Sequence, residues 1–484
     1  MNLPAKLSIA AATLLASASV SQAEVKVSPI FSDNMVLQQQ ATVTMHGKAT
    51  PGNNIKVKTS WNGKTVQARA EADSTWSARF DTPSHGGPYT ITISDRDGKE
   101  TIENILIGDV WVCGGQSNME MSMSGFSGQP VEGTLDMIVK ADPKRQLRLF
   151  QQPRDYSTTP KETPAGGTWV EQTPAAVREF SAVGYIFGDL INEVIDIPVG
   201  LIQCAYSDSK IEAWMPREAL EANFPDIALP TAGQTEFGWL TGTPTLLYNA
   251  MVNPWKGFPV KGVVWYQGEA NNPYPDLYKQ LFPVMVKEWQ KVFVNDSLPF
   301  YYVQLASFNA GDCEALNYAE FRQAQADLLY MVPNVAMATI GDAGDPVFIH
   351  APRKLPAGRR LAYLALDKTY GREGADVRPP IARAAGYNPN DSTIWVTFDN
   401  PGRGLIPTQC YLDEFEVVDA DGNVYEAKAK TYGGNGVTVW SPIADPVEVR
   451  YGFHNCFEAT LFNNMRIPAS PFKLKIAKPQ PKKD

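Results

Sequence analysis

Three stretches of this chain carry three different rhythms of apolar and polar residues. From Val25 to about Leu106 the two kinds alternate with a period of two, as in Thr42-Val43-Thr44-Met45-His46-Gly47, Ile55-Lys56-Val57-Lys58-Thr59 and Tyr89-Thr90-Ile91-Thr92-Ile93. Pro51-Gly52-Asn53-Asn54, Asn62-Gly63 and Asp97-Gly98 separate these runs with residues that favour turns. Short strands at regular spacing predict a small β-sandwich over residues 24–106.

From Asp109 to about Gly371 the rhythm changes. The runs Val110-Trp111-Val112-Cys113, Val199-Gly200-Leu201-Ile202, Val263-Val264-Trp265-Tyr266 and Val335-Ala336-Met337-Ala338 are apolar throughout and alternate with helical patterns. One such pattern places Phe180, Val183, Phe187, Leu190, Ile191 and Val194 on a single face. Another, opened by Pro356, carries Leu361, Leu364 and Ala365. Strands apolar on both faces, alternating with helices, predict a parallel sheet covered on both sides, an α/β domain over 107–378. In such folds ligands bind beyond the carboxyl ends of the strands.

Residues 379–478 return to β patterning, with Thr393-Ile394-Trp395-Val396-Thr397-Phe398 and Val437-Thr438-Val439-Trp440 as clear strands. The Pro/Lys-rich tail 479–484 is expected to be disordered. At the other end, Lys6 precedes the apolar run Leu7 to Val20 and the small-x-small pattern Ser21-Gln22-Ala23. This predicts a secretory signal peptide, 1–23, and an exported product, periplasmic or extracellular. The run is too short, and too interrupted by Ser8, Thr13, Ser17 and Ser19, to span a bilayer.

Charge narrows the choice of partner. A net charge of -9 over 484 residues argues against nucleic acid and anionic membrane surfaces, which require clustered cations. The four histidines, His46, His85, His350 and His454, are too scattered for a histidine-rich metal site. Five cysteines without a C-x-x-C pair indicate neither zinc nor a dense disulfide framework. Cys113 is expected to be a buried free thiol in its strand.

Candidate chemistry gathers at strand ends in the middle region. Gly114-Gly115-Gln116-Ser117-Asn118-Met119 follows directly on the first apolar strand, and its paired glycines allow a sharp turn that leaves Ser117 at the strand end. Met119 stands where the G-x-S-x-G elbow would need glycine. A serine nucleophile needs a base, and His350 lies in a Gly/Pro/Asp-rich loop between a strand and the Pro356 helix, a place suited to general-base work. Trp265-Tyr266-Gln267-Gly268-Glu269-Ala270-Asn271 also follows a strand. Its amides could donate to an oxyanion, or equally tie loops together.

Together these blocks resemble the sialate O-acetylesterase family of the SGNH hydrolase superfamily. Gly115-Gln116-Ser117-Asn118-Met119, Tyr266-Gln267-Gly268-Glu269-Ala270-Asn271 and Ile349-His350 look like its serine, QGE and histidine blocks. Asn34 to Gln39, Phe180 to Tyr185, Ile211 to Pro216, Val449-Arg450-Tyr451 and Pro468 to Phe472 are similar to further family segments. The resemblance implies an SGNH-like three-layer α/β/α core flanked by the two β regions. It implies an esterase removing acetyl groups from sugar hydroxyls without a cofactor, O-acetylated sialic acid foremost, through an acetyl-enzyme at Ser117 with His350 as base. Gln116, Ser207, Gln267, Glu269 and Asn271 would bind the substrate or oxyanion.

Two departures from the pattern matter. The superfamily usually has an aspartate two or three residues before the histidine, where this chain has Phe348 and Val347. Asp345, favoured because Pro346 can fold the loop back, or Asp342 would then orient the imidazole, unless a backbone carbonyl does so. Where family members commonly have a Trp-Gly-Gly-Thr-like run, this chain reads Cys204-Ala205-Tyr206-Ser207-Asp208-Ser209-Lys210. Asp208 must turn away from the oxyanion or pair with Lys210 or Arg217. Two other readings follow: an acetylesterase for plant polysaccharides such as xylan or pectin, and a weakened carbohydrate-binding homologue using aromatic platforms of the β regions. Glycoside hydrolysis lacks a second acid beside Glu269.

Overall fold

The computed structural model describes residues 24–477, so the expected signal peptide and the expected tail lie outside the described residues. The period-two runs are strands whose side chains alternate between core and solvent, as Thr42–Lys48, Asn54–Thr59 and Thr75–Asp81 show. Lys26–Val27, Thr42–Lys48 and Thr75–Asp81 form one sheet. Asn54–Thr59, Thr65–Arg69 and Gly86–Ser94 form another, which continues into the centre of the molecule.

That continuation is a single strand of 17 residues, Lys99–Gly115. Its first half pairs antiparallel with Gly86–Ser94, from Ser94↔Lys99 to Gly86↔Ile107. Its second half pairs in parallel with Val199–Ala205 on one side and Gly262–Tyr266 on the other. The expected division between residues 106 and 107 therefore falls inside one strand. From Ile105 to Gly115 every residue of that strand is buried, as befits a strand covered on both faces.

The four apolar runs are strands of one central sheet, joined by Leu147–Gln151 and Phe300–Val303. The spatial order is Trp169–Glu171, Leu147–Gln151, Val199–Ala205, Lys99–Gly115, Gly262–Tyr266, Phe300–Val303, Val335–Ala338. All neighbours are parallel except Trp169–Glu171 at the edge. The order of the parallel strands reverses beside Lys99–Gly115, and in such sheets ligands bind outside the carboxyl ends of the strands at that point.

Helices cover this sheet from both sides. Gly184 of helix Ala182–Ile195 lies so close to Cys113 that a Cβ would come within 2.8 Å of its sulfur, while the next strand residue, Gly114, faces Trp289 of helix Pro275–Val292. Successive strand residues point to opposite faces, so these helices do too. Gly358 of helix Leu355–Lys368 packs against Ile186. Val183, Phe187 and Ile191 of the expected stripe are buried, whereas Val194, in the last turn before the left-handed Asp196, is exposed.

The remaining chain forms an eight-stranded sheet with its own apolar core, including Ile394, Val396, Val437, Val439 and Phe472. It is fastened to the central region covalently by the disulfide Cys313–Cys456. Beside it, the fully buried Arg322 donates to the carbonyls of Ala306, His454 and Asn455, and burial lowers its pKa to about 9. Cys113 and Cys204 are buried free thiols, and burial pushes the Cys113 thiol up, leaving it inert. Among the described residues, no helix is long and apolar enough to cross a membrane.

Candidate active site

Four loops that follow strands of the central sheet are hydrogen-bonded to one another beyond the end of Lys99–Gly115. The long strand ends in Gly115 at φ +139°, where a Cβ would lie 2.1 Å from the Tyr266 carbonyl oxygen, so only glycine fits. Gln116 N–H donates to that same carbonyl at 3.0 Å. The chain then enters the short helix Ser117–Glu120 with Ser117 as its first residue. Ser117 is 6% exposed, and among the described residues its hydroxyl makes no hydrogen bond. The N–H groups of Met119 and Glu120 both donate to the Gln116 carbonyl at 2.9 Å, so among the described residues only the Ser117 and Asn118 N–H groups of this turn have no acceptor.

Asn118, next in the chain, binds three other segments. Its Nδ2 donates to the Glu269 carboxylate and, at 3.1 Å, to the Ile349 carbonyl; its Oδ1 accepts from Lys354 Nζ. One amide thus ties the serine loop to the Glu269 loop and to the His350 loop. Glu269 and Lys354 are both buried, and the Lys354 ammonium also lies 5.7 Å from the centre of the Tyr266 ring. Burial raises the Glu269 carboxyl above its usual range and lowers Lys354 to about 7, each offset in part by the other's charge.

Sequence reasoning passed over Lys354, although it carried a signal. It is the N-cap of helix Leu355–Lys368, and a cation at the positive end of a helix dipole is unfavourable without a compensating acid. Here that acid is Glu269, reached across the Asn118 amide.

His350 sits between two residues of a tight turn. Phe126 and Gln129 exchange backbone hydrogen bonds, and the Phe126 ring meets the imidazole edge-on, centroids 5.2 Å apart. Gln129 Oε1 stands 2.5 Å from His350 Nδ1. An amide oxygen only accepts, so Nδ1 carries the proton and Nε2 keeps its lone pair, the form a general base needs. Burial, with help from the Lys354 charge, lowers the imidazole pKa to about 4, so the ring is neutral at ordinary pH. Among the described residues no hydrogen bond joins His350 directly to Ser117; Asn118 makes the link between their loops.

The acids expected to orient His350 are engaged elsewhere. Asp345 accepts from the N–H groups of Val347 and Phe348, at 2.8 and 3.1 Å, and so caps its own loop. Asp342 forms a bidentate pair with Arg360, at 2.6 and 2.7 Å. Neither hydrogen-bonds the imidazole. The Nδ1 position that an acid fills in a serine triad is held by Gln129.

The expected oxyanion and substrate residues divide by use. Gln116 Oε1 accepts from the N–H groups of Gly268 and Ala270. Gln267 Nε2 donates to the Ser209 carbonyl and to Asn271 Oδ1, while Asn271 takes the Ile211 N–H and gives to Glu212. These buried amides stitch the loops together. Ser207 is not a free oxyanion donor, because its N–H, at 2.8 Å, and its hydroxyl both go to the Glu120 carboxylate. Glu120 is held in turn by Arg154, whose guanidinium lies 5.1 Å from the Tyr206 ring centre.

Asp208 takes the left-handed conformation, φ 56°, which an aspartate adopts more readily than most residues with a Cβ. It is exposed, and its carbonyl accepts from Trp239 and Thr241. Lys210 instead lies over the rings of Trp239 and Tyr274, and Arg217 pairs with Glu221. Asp208 therefore makes no ion pair among the described residues.

A serine at the switch point of a parallel sheet, beside an amide bonded to the loop of a neutral histidine, is the arrangement expected of a carboxylic ester hydrolase. Comparison with known proteins agrees. Residues 107–367 match the family described as carbohydrate esterase, sialic acid-specific acetylesterase. The chain belongs to this family and is a carbohydrate O-acetylesterase. It is 27% identical to a sialate O-acetylesterase of Mus musculus over 76% of this chain and 78% of that protein. To the sialate O-acetylesterase of Homo sapiens it is 28% identical, over 72% of each chain. Among solved structures, a carbohydrate acetylesterase from Xanthomonas citri matches at 32% identity and a TM-score of 0.83, covering 93% of this chain and 99% of that one.

Proposed function

We propose that this enzyme is exported and removes O-acetyl groups from sialic acid by way of an acetyl-enzyme at Ser117. The observation that carries the mechanism is the Asn118 amide, which fixes the serine loop and the His350 loop relative to each other. Ser117 Oγ attacks the acetyl carbonyl as its proton passes to His350 Nε2. Gln129 Oε1 then stabilises the imidazolium through Nδ1–H. The tetrahedral oxyanion accepts from the unpaired N–H groups of Ser117 and Asn118. The imidazolium returns its proton to the departing sugar oxygen; a water then gives a proton to the same Nε2 as it attacks the acetyl-enzyme, and that proton passes to Ser117 Oγ as acetate leaves. No cofactor enters these steps. Gln116, Gln267, Glu269 and Asn271 act by holding the loops.

The fold assignment that accompanies this reading is an SGNH-like three-layer core over 107–378, between β regions at 24–106 and 379–478. The sialate preference rests on the sialate O-acetylesterase relatives. The higher identity to the Xanthomonas citri carbohydrate acetylesterase favours a second reading, in which the same chemistry acts on an acetylated carbohydrate other than sialic acid.

Acetate release from 4-nitrophenyl acetate, O-acetylated sialoside and acetylated xylan, measured for the parent and Ser117→Ala, tests both. The parent should turn over the aryl ester and the sialoside, and Ser117→Ala should fall to background. Equal rates for the two proteins would remove Ser117 from the mechanism; activity on xylan alone would leave the chemistry and overturn the sialate preference.

A further inference from the structure

The side-chain amide of Asn118 has two ends of similar shape and opposite chemistry, so its partners decide which end faces which loop. Glu269 and Lys354 leave it no choice. An ionised carboxylate only accepts hydrogen bonds and an ammonium only donates them. The Glu269 carboxylate therefore draws the Nδ2 end and the Lys354 ammonium draws Oδ1, which leaves the second Nδ2 hydrogen for the Ile349 carbonyl at 3.1 Å. Turned over, the amide would set its oxygen against that carboxylate and that carbonyl, and its nitrogen against the ammonium. All three contacts would be lost together.

As a mere fastening the arrangement is a poor one. Both side chains are buried, burial opposes both charges, and Lys354 stands where the helix dipole opposes a cation. A buried ion pair is often no more stabilising than apolar side chains of the same volume. Gln116 and Gln267 already tie neighbouring loops with neutral amides. What a charged pair adds is direction.

The direction serves the two groups that do the chemistry. Ile349, whose carbonyl the amide holds, immediately precedes His350, and the Asn118 backbone N–H is one of the two unpaired donors beside Ser117. The Lys354 charge acts here too. After burial it is what lowers the His350 imidazole, whose ring otherwise meets the uncharged Phe126 and Gln129. On its other side the ammonium meets the Tyr266 ring, whose hydroxyl burial and the Glu269 charge keep protonated.

We propose that Lys354 is a positioning residue of the reaction: with Glu269 it holds the Asn118 amide in one orientation, and so aims the His350 loop and the Asn118 N–H at the acetyl group on Ser117. This rests on the Ser117–His350 mechanism given above and is independent of which sugar carries the acetyl group.

The test needs a variant that removes the direction without leaving a lone buried charge. Lys354→Met combined with Glu269→Gln does so, because glutamine both gives and takes hydrogen bonds and either end of Asn118 can then face it. Hydrolysis of 4-nitrophenyl acetate by this double variant is compared with that by the parent and by Ser117→Ala. The double variant should melt close to the parent, while kcat falls roughly tenfold, as for one or two lost hydrogen bonds, and KM holds. With the Lys354 charge gone the imidazole takes a proton more readily, so the acid limb of kcat/KM should move to higher pH. A purely structural tie would leave that limb in place. A kcat within about twofold of the parent, a loss carried by KM, or an unmoved acid limb would each overturn the role of Lys354 while Ser117→Ala stays at background. Activity retained by Ser117→Ala would remove the underlying mechanism, and this proposal with it.

Discussion

Replacing Gln129 by leucine removes the hydrogen-bond acceptor of His350 Nδ1 while keeping a side chain of similar size on a partly exposed turn. The Phe126 ring still flanks the imidazole, so the loss is one of tautomer and aim rather than of packing. When the ring takes the serine proton, the contact becomes a hydrogen bond to a charged group, worth about 1.5–3 kcal/mol. At ~1.36 kcal/mol per factor of ten, kcat should fall roughly 10- to 150-fold with KM little changed. Asp345→Ala, which frees only two loop N–H groups, should change kcat by less than about threefold. Gln129→Glu adds a further readout. His350 is lowered to about 4 on folding, so the active neutral base persists above that pH and is lost as pH falls through it. A carboxylate beside Nδ1 raises the imidazole pKa, and the acid limb of kcat/KM should move to higher pH. Steady-state rates with 4-nitrophenyl acetate and an O-acetylated sialoside across this range measure both effects. If Gln129→Leu stays within about twofold of the parent while Asp345→Ala loses activity, Asp345 orients the base and the reasoning about Gln129 is wrong.

Lys354→Met leaves Glu269 buried without its cation and should cost about 3–5 kcal/mol in urea denaturation, most of it recovered by adding Glu269→Gln; a single variant as stable as the parent would show that the two charges are not coupled. His454, raised to about 9 mainly by its 2.8 Å hydrogen bond to Glu416, fastens the C-terminal sheet. An elevated histidine pKa stabilises below its unfolded value near 6.5, and that stabilisation fades as pH rises through about 9. The difference in melting temperature between the parent and His454→Gln should therefore be large near pH 6 and shrink above pH 9; a constant difference would rule this out.

What could be read from the chain was whatever lies close together along it. The period-two runs, the apolar strands and the glycine turn before Ser117 all follow from local pattern, and so do the positions of Ser117 and His350 at strand ends. The partners of those residues do not. Gln129 is 221 residues from His350 and sits in a polar Gly/Ser turn that looks like any loop. Ser207 was expected to serve the oxyanion because it lies in the segment that stands for the family's Trp-Gly-Gly-Thr-like run, yet Glu120, 87 residues earlier, takes its N–H. With five cysteines the pairing Cys313–Cys456 could not be read from spacing. Lys354 was legible in principle, as a cation where the helix dipole opposes one.

The strand Lys99–Gly115 also imposes an order on synthesis. Its first half can pair with Gly86–Ser94 as soon as both have left the ribosome, because that partner has already been made. Beyond Gly108, where the pairing with the earlier Val36–Gln38 ends, it must wait for Val199–Ala205 and then for Gly262–Tyr266. Until then the nascent chain displays an apolar strand with two open edges, the kind of surface on which other chains nucleate aggregates. The N-terminal sheet anchors one end of that strand in the meantime, so it can act as a built-in folding clamp for the loop that later carries the serine.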